Sequence, residues 1–329
     1  MQEITKDLLV SLAVNRLKDG TVTRVLGWKN GEFDYDVTPA LFRKEEDLKA
    51  FVWNGFCGAN LSKYLIKETA KEEGKVLVFL KPCDTYSFNQ LLTEHKFNRE
   101  KVYAVGVPCD GMADPHVLAE KAEGILSARE VGNRISVTTL YDGEKTFDRA
   151  ELLADRCHNC KSKKHVAYDE LLGTEGDVTE NSRFDEVEKL EAMTPDERFH
   201  FWQNELSRCI RCNACRDVCP ACTCEKCVFD NPGSGAENKA PADRFEEQMF
   251  HIIRAFHVAG RCTDCGECSR VCPQRIPLHL LNRKFIHDIN RLYGDYQSGA
   301  EVGSRAPVIR YDVNDPEPGE AVERGISHA

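Results

Sequence analysis

The hydrophobic pattern divides the chain into two unlike halves. Val76-Leu77-Val78-Phe79-Leu80 and Val102 to Val107 are short unbroken apolar runs, as expected of strands covered on both faces. Residues 85–97 lie between them with helical spacing, and a further helix is predicted over 60–73. This is strand–helix–strand, the unit of a parallel sheet. Thr5, Leu8, Leu9, Leu12, Ala13 and Leu17 predict an earlier helix, stopped at Gly20. Two hairpins are expected. One pairs Thr21–Trp28 with Phe33–Val37 around Asn30-Gly31, the other Arg134–Tyr141 with Lys145–Phe147 around Asp142-Gly143. A helix is expected from Arg149 onward.

Beyond residue 172 the strand signals stop. Residues 173–193 are acidic and turn-rich and read as a linker. Thr194-Pro195-Asp196-Glu197 is a helix start with a capping box, and Phe199, Trp202 and Leu206 share one face of that helix. Asp243 is expected to cap another helix, with Glu246 as its box partner and Phe245, Met249, Ile252, Ile253 and Phe256 as its apolar side. Pro277 opens a last helix carrying Leu280, Leu281, Phe285, Ile286, Ile289 and Leu292, and Gly294 ends it. The expected fold is an α/β domain over 1–172 built of parallel βα units, then an all-α ferredoxin-like domain over 194–297. A polar, Pro/Gly-rich tail without periodicity follows over 298–329.

The cysteines change this picture most. Sixteen are present. Cys209, Cys212, Cys215 and Cys219 before Pro220 read C-x2-C-x2-C-x3-C-P, and Cys262, Cys265, Cys268 and Cys272 before Pro273 repeat the spacing. A [4Fe-4S] cubane needs four thiolates around a small anionic core, and in two-cluster ferredoxins the cysteine before the proline serves the other cluster. The expected sets are therefore Cys209, Cys212, Cys215 and Cys272 on a first cluster, and Cys262, Cys265, Cys268 and Cys219 on a second. Zinc usually takes paired C-x2-4-C knuckles instead. The 42 residues between Cys219 and Cys262 contain a predicted helix, which favours the α-helical over the compact βαβ ferredoxin type.

In the first half each strand ends in Pro-Cys-Asp, at Cys83 and Cys109, on the edge where parallel sheets hold their ligands. Cys157-His158-Asn159-Cys160 adds a C-x2-C. A third cluster on Cys83, Cys109, Cys157 and Cys160 is expected, against the plainer reading of buried free thiols. His158 and His165 read as surroundings or surface and not as ligands, and Lys161, Lys163 and Lys164 as a solvated face or as counter-charge to a cluster. Cys57, Cys222, Cys224 and Cys227 remain. A fourth cluster shared between the domains would use them all, and a redox-inert turn is the alternative.

Composition narrows the rest. A net charge of −10 without a basic stripe speaks against nucleic acid. The opening residues show no signal peptide, and no apolar run is long enough to span a membrane. So many thiols fit a reducing cytoplasm and metal ligation, not disulfides, and oxygen-sensitive clusters suggest an anaerobic host. No G-x-G-x-x-G, Walker loop or H-E-x-x-H is present.

Residues 75–172 resemble the iron–sulfur core of beta subunits of deazaflavin-reducing hydrogenases and formate dehydrogenases. The matching residues are Lys81-Pro82-Cys83, Val107-Pro108-Cys109, Cys157-His158-Asn159-Cys160 and Tyr168 to Gly173. Residues 195–293 are similar to the α-helical ferredoxins of heterodisulfide reductase C-type subunits, through the stretch from Arg254 past Cys272 to Pro277-Leu278. The resemblance implies an electron-transfer subunit of a multi-subunit oxidoreductase. It would carry electrons through three or four [4Fe-4S] clusters between a partner's flavin or metal site and an acceptor. Flavoprotein, hydrogenase or formate dehydrogenase-type subunits, and a soluble ferredoxin, are the implied partners. The alternative is a subunit with its own FAD that reduces a deazaflavin. Where such subunits carry a glycine-rich segment near the amino terminus, this chain has Asp19-Gly20-Thr21-Val22-Thr23. A zinc-bound scaffold is the non-redox alternative.

Overall fold

A computed structural model describes residues 4–161, 163–176, 182–230 and 244–309. The chain forms two compact units, Met1–Arg183 and Phe184–Ala329. In the first unit, helix α1 (Lys6–Lys18) is capped by Thr5, whose hydroxyl accepts from the Leu8 amide at 3.3 Å. Strand β1 (Arg24–Asn30) pairs antiparallel with β2 (Val37–Phe42), Asn30 opposite Val37. The second strand thus begins where the sequence pattern ends it. Residues 31–36 form the turn instead, closed by the Gly31 amide on the Asp36 carbonyl and by Phe33 stacked on Tyr35.

Helix α2 (Tyr64–Lys71) leads to β3 (Val76–Leu80), all of it buried. Helix α3 (Pro82–Thr93) follows without a gap. It starts at Pro82 and not at residue 85, because proline suits the first helical position and Asp84 accepts from the Lys81 amide at 3.2 Å. Cys83 therefore sits in the first turn of a helix. Strand β4 (Val102–Gly106) and helix α4 (Pro115–Lys121) come next. Strands β5 (Ile125–Val131), β6 (Arg134–Thr139) and β7 (Gly143–Asp148) make a separate antiparallel sheet around Ala128, Ile135 and Val137. The pattern reveals β6 and β7 but not β5, whose polar interior hides its alternation.

The helix expected from Arg149 is a single 3-10 turn, Arg149–Leu152, followed by α5 (Asp155–His158). Strand β8 (Glu170–Leu171) completes the main sheet, in the order β2-β1-β3-β4-β8, with β1, β3, β4 and β8 parallel. The carboxyl ends of β3 and β4 deliver Cys83 and Cys109 to one edge, as expected.

The described part of the second unit is helical. Helix α6 (Asp185–Glu191) lies inside the stretch read as linker. Helix α7 (Pro195–Leu206) has the expected capping box, with the Thr194 hydroxyl accepting from the Glu197 amide at 3.3 Å. Then come α8 (Ala214–Val218), α9 (Arg244–Val258), α10 (Glu267–Arg270) and α11 (Leu278–Tyr293). Asp243, the expected cap of α9, lies outside the described residues.

Helix α9 is turned opposite to the expectation. Phe245 and Phe256 are 68% and 61% exposed, and Met249 and Ile252 are exposed as well. Glu247, Phe250, His251, Arg254, Ala255 and Val258 are the buried side. The physical reason is the neighbourhood. This side faces a set of sulfur atoms, where charge and hydrogen bonds count for more than apolar area.

The folded chain also runs past residue 297. The Tyr296 hydroxyl donates to the Gly260 carbonyl at 3.0 Å, and the Ser298 hydroxyl to the Arg261 carbonyl at 3.0 Å. Ala306 is buried beside Gly260, whose φ of 70° and lack of a side chain make that approach feasible. Residues 310–329 of the expected tail lie outside the described residues.

Two substitutions should separate core from cap. Phe79 is fully buried and packs edge-on against Phe51, with ring centres 5.4 Å apart. Phe79→Ala should cost about 3–5 kcal/mol of the first unit's stability, and Thr194→Ala about 1 kcal/mol of the second's. Denaturant titration of the full chain measures both, and equal losses would contradict the assignment of Phe79 to the core.

Candidate metal centres

The two C-x2-C-x2-C-x3-C-P loops share a backbone as well as a spacing. The second residue after the leading cysteine, Arg211 or Asp264, has φ of 53° or 55°. The fourth, Asn213 or Gly266, has φ of 62° or 67°. These left-handed turns are costly for arginine and aspartate, on the order of 1–2 kcal/mol each. They curl each loop so that three sulfurs face one point, and they aim backbone amides at sulfur. The Arg211 amide donates to Cys209 Sγ at 3.4 Å. Short helices α8 and α10 then begin at matching positions and carry Cys215 and Cys268 inward, where both are buried.

The sulfurs group across the two loops. Cys215 has Cys272, Cys212 and Cys219 as its nearest electrostatic partners among the cysteines. Cys262 has Cys219 and Cys265. Cys268 has Cys219, Cys265 and Cys215. So Cys272 reaches back to the first loop and Cys219 forward to the second. A small pocket, partly open to solvent, is lined by Cys219, Cys262, Cys265 and Cys268, with Asp264 and Asn282 beside them.

Burial is the first cause that raises these thiols, to about 12 for Cys209 and Cys268 and well above normal for Cys262. Buried sulfurs in such numbers are stable as thiolates only with a metal or a cation beside them.

That cation is Arg254, 4% exposed. Its Nη2 donates to the Cys215 carbonyl at 3.0 Å, and its Nε has no hydrogen-bond partner among the described residues. Burial alone would lower its pKa. The sulfurs of Cys219, Cys215, Cys268 and Cys222 outweigh that and hold the guanidinium charged. His251, one turn earlier, is 2% exposed, and neither ring nitrogen has a hydrogen-bond partner among the described residues. Burial first, then Arg254 and Arg211, push it down to about 3, so the ring is neutral. His251, Glu247 and Cys209 offer ligand atoms within 4.8 Å of one another. Arg211 lies 3.6 Å from Glu247, and Arg283 pairs with Asp264 at 3.0 Å. Asn282 Nδ2 donates to Cys268 Sγ at 3.6 Å, while its Oδ1 lacks a partner among the described residues. Orphaned donors aimed at an all-sulfur donor set fit an anionic iron–sulfur cluster.

Sequence reasoning missed His251 and Glu247 altogether, and valued Arg254 only for resemblance. The available signal was a polar stripe at helical spacing, which in an isolated sequence reads as a solvent face.

The first unit has its own sulfur group. Cys83 has Cys160 as a neighbour, and Cys109 has Cys157. The Gly111 amide donates to Cys109 Sγ and the Met112 amide to Cys157 Sγ, both at 3.4 Å. Lys81, 1% exposed, is the enclosed cation here. Its Nζ lies 2.8 Å from Asp84 and 2.9 Å from the Ala59 carbonyl, and 4.7 Å above the Trp28 ring. Burial pulls its pKa down, and Asp84, Cys83 and Cys109 raise it above normal. Lys161 is a charge neighbour of Cys83, and Lys163 of Cys109.

His165 is a buried structural residue. Its Nε2 lies 3.0 Å from the Leu80 carbonyl and its Nδ1 2.9 Å from Glu175, so both nitrogens are occupied. His158 is exposed. Cys57 is fully buried in the core of its unit, raised to about 12 by burial, with Lys81 and Cys109 as neighbours. Cys222, Cys224 and Cys227 belong to the other unit, and Cys224 is exposed. None of the sixteen cysteines is joined in a disulfide. No helix among the described residues is long and apolar enough to cross a membrane.

Residues 205–276 match the family described as "4Fe-4S dicluster domain". The chain is similar to the F420-dependent formate dehydrogenase subunit beta of Methanocaldococcus jannaschii, at 24% identity over 80% of this chain and 83% of that one. It is also similar to the F420-dependent formate dehydrogenase 1 subunit beta of Methanococcus maripaludis, at 25% identity over 74% and 78%. Among solved structures, one from the F420-reducing [NiFe] hydrogenase complex of Methanosarcina barkeri matches 49% of this chain and 59% of its own. Its TM-score is 0.36 and its identity 16%.

The crossed grouping predicts crossed defects. Cys219→Ser should damage the cluster signal of the second loop more than that of its own, and Cys272→Ser the reverse. Electron paramagnetic resonance and Mössbauer spectra of the two variants decide it. Damage confined to each variant's own loop would refute the crossing.

Proposed function

We propose that this protein is the iron–sulfur electron-transfer subunit of a cytoplasmic multi-subunit oxidoreductase of the formate dehydrogenase or hydrogenase kind. The observation that carries this reading is the pair of loops with crossed sulfur groups inside a matched dicluster domain. The relatives named as beta subunits extend it beyond the ferredoxin part, because their similarity covers most of the chain.

A [4Fe-4S] cluster, when bound, supplies a one-electron couple whose potential depends on its surroundings. The chain's own residues do the rest. Cys209, Cys212, Cys215 and Cys272 would hold the first cluster, and Cys262, Cys265, Cys268 and Cys219 the second. Cys83, Cys109, Cys157 and Cys160 would hold a third, with Lys81 as buried counter-charge. A fourth is left out, since Cys57 is enclosed among core residues of its own unit. Ile276, Leu278 and Phe250 pack with Cys215, Cys268 and Cys272 in one buried cluster. The helical surroundings of both loops support the heterodisulfide reductase C-type reading of that unit. An electron-carrying subunit needs no general base or nucleophile, and its donor and acceptor sit on partners: a flavin or metal site on one, and another subunit or a soluble ferredoxin on the other.

The rival is a subunit that carries FAD and itself reduces a deazaflavin. One anaerobic preparation separates the two. The relay should contain about 12 iron and 12 sulfide per chain, at four each per cubane, and release no flavin on acid treatment. Stoichiometric FAD would favour the rival, and colourless zinc protein would defeat both. Cys83→Ser should remove about a third of the iron and leave the signals of the other two clusters intact.

A further inference from the structure

Helix α9 buries a polar side and exposes an apolar one, and the buried side faces the sulfurs of both loops. We propose that α9 sets the redox potentials of the second unit's two clusters. Arg254 acts as a cation shared by both, and His251 as a hydrogen-bond donor to the first alone. This rests on the two-cluster reading above.

Arg254 is placed for a shared role. The carbonyl of Cys215, in the first set, anchors its Nη2 at 3.0 Å. Its sulfur neighbours come from both sets, Cys215 from the first and Cys219 and Cys268 from the second. The Nε remains buried with no partner among the described residues, a donor without an acceptor until an anion is present. Leaving such a donor unsatisfied is unfavourable, so the arrangement makes sense as one completed by cluster sulfur.

The other charges near the sulfurs are matched. Arg211 faces Glu247, Arg283 faces Asp264, and Arg270 holds both oxygens of Glu267 at 2.8 Å. Thiol sulfurs, and no carboxylate, lead the groups around Arg254. Its charge is therefore available to the clusters. Reduction adds a negative charge, and an adjacent cation in a poorly solvated site favours the reduced form. Arg254 should raise both potentials.

His251 stands beside the first set. A ring nitrogen lies within 4.8 Å of Cys209 Sγ and a Glu247 oxygen, and Cys209 belongs to the first set. A single N–H donated to one sulfur acts locally, on the cluster which that sulfur holds. A hydrogen bond to ligand sulfur again favours the reduced form. The two residues are positioning groups. They touch sulfur ligands and exchange no electrons.

The test is potentiometric titration, monitored by electron paramagnetic resonance, of the anaerobically reconstituted full chain and three variants. The Cys219→Ser and Cys272→Ser spectra assign each signal to its cluster. Arg254→Gln should lower both midpoints, Arg254→Lys should keep both near the native values, and His251→Leu should lower only the first cluster's. Arg254→Gln shifting one midpoint or neither would overturn the shared role. His251→Leu shifting both midpoints or neither would overturn the selective one. Loss of both clusters from Arg254→Lys with helix content retained would make Arg254 a scaffold residue and overturn the proposal too. A native chain lacking two cubane signals is a different failure, which removes the two-cluster reading itself.

Discussion

Collecting sulfur ligands inside a protein is an electrostatic problem before it is a structural one. A buried thiol keeps its proton, and a cluster that displaces the proton leaves net negative charge where water cannot screen it. Each unit meets this with an enclosed cation beside its sulfurs, on a rigid element. Lys81 stands between β3 and α3, tied to Asp84 and the Ala59 carbonyl. Arg254 stands on α9, tied to the Cys215 carbonyl. Local choices follow from these two positions. Helix α3 begins at Pro82 so that Asp84 can fold back on Lys81. Helix α9 turns Glu247, His251 and Arg254 inward at the expense of covering Phe245 and Phe256.

Symmetry in the second unit is of the backbone kind. The two loops repeat their left-handed residues at the same offsets, yet only one of the four positions is glycine. Arg211 and Asp264 adopt that conformation despite its cost, and each forms an ion pair with a neighbouring helix, Arg211 with Glu247 on α9 and Asp264 with Arg283 on α11. Side-chain contacts thus fix a strained turn that glycine would have taken freely. The result is a rigid loop, which suits a one-electron centre whose surroundings should move little between oxidation states.

Much of this is legible in the residue pattern. The unbroken apolar run at Val76–Leu80, the Pro-Cys-Asp at each strand end and the paired cysteine loops all follow from local rules, and local rules survive tertiary packing. The failures have a common cause. Strand β5 alternates too weakly to detect because it belongs to a small, half-exposed sheet. Helix α6 is hidden by acidic residues, which read as solvated linker but also favour a helix's first turn. The orientation of α9 escapes the pattern because periodicity arguments take the inside to be apolar. Where the interior is sulfur and charge, Arg254 and His251 face inward and the apolar stripe of the helix is left outside.

The outward row of Phe245, Met249, Ile252 and Phe256 has a consequence for how the protein behaves in solution. Copies at high concentration would present this greasy ridge to one another. We expect the chain to self-associate through it as its concentration rises. Solubility would then hinge on one helix.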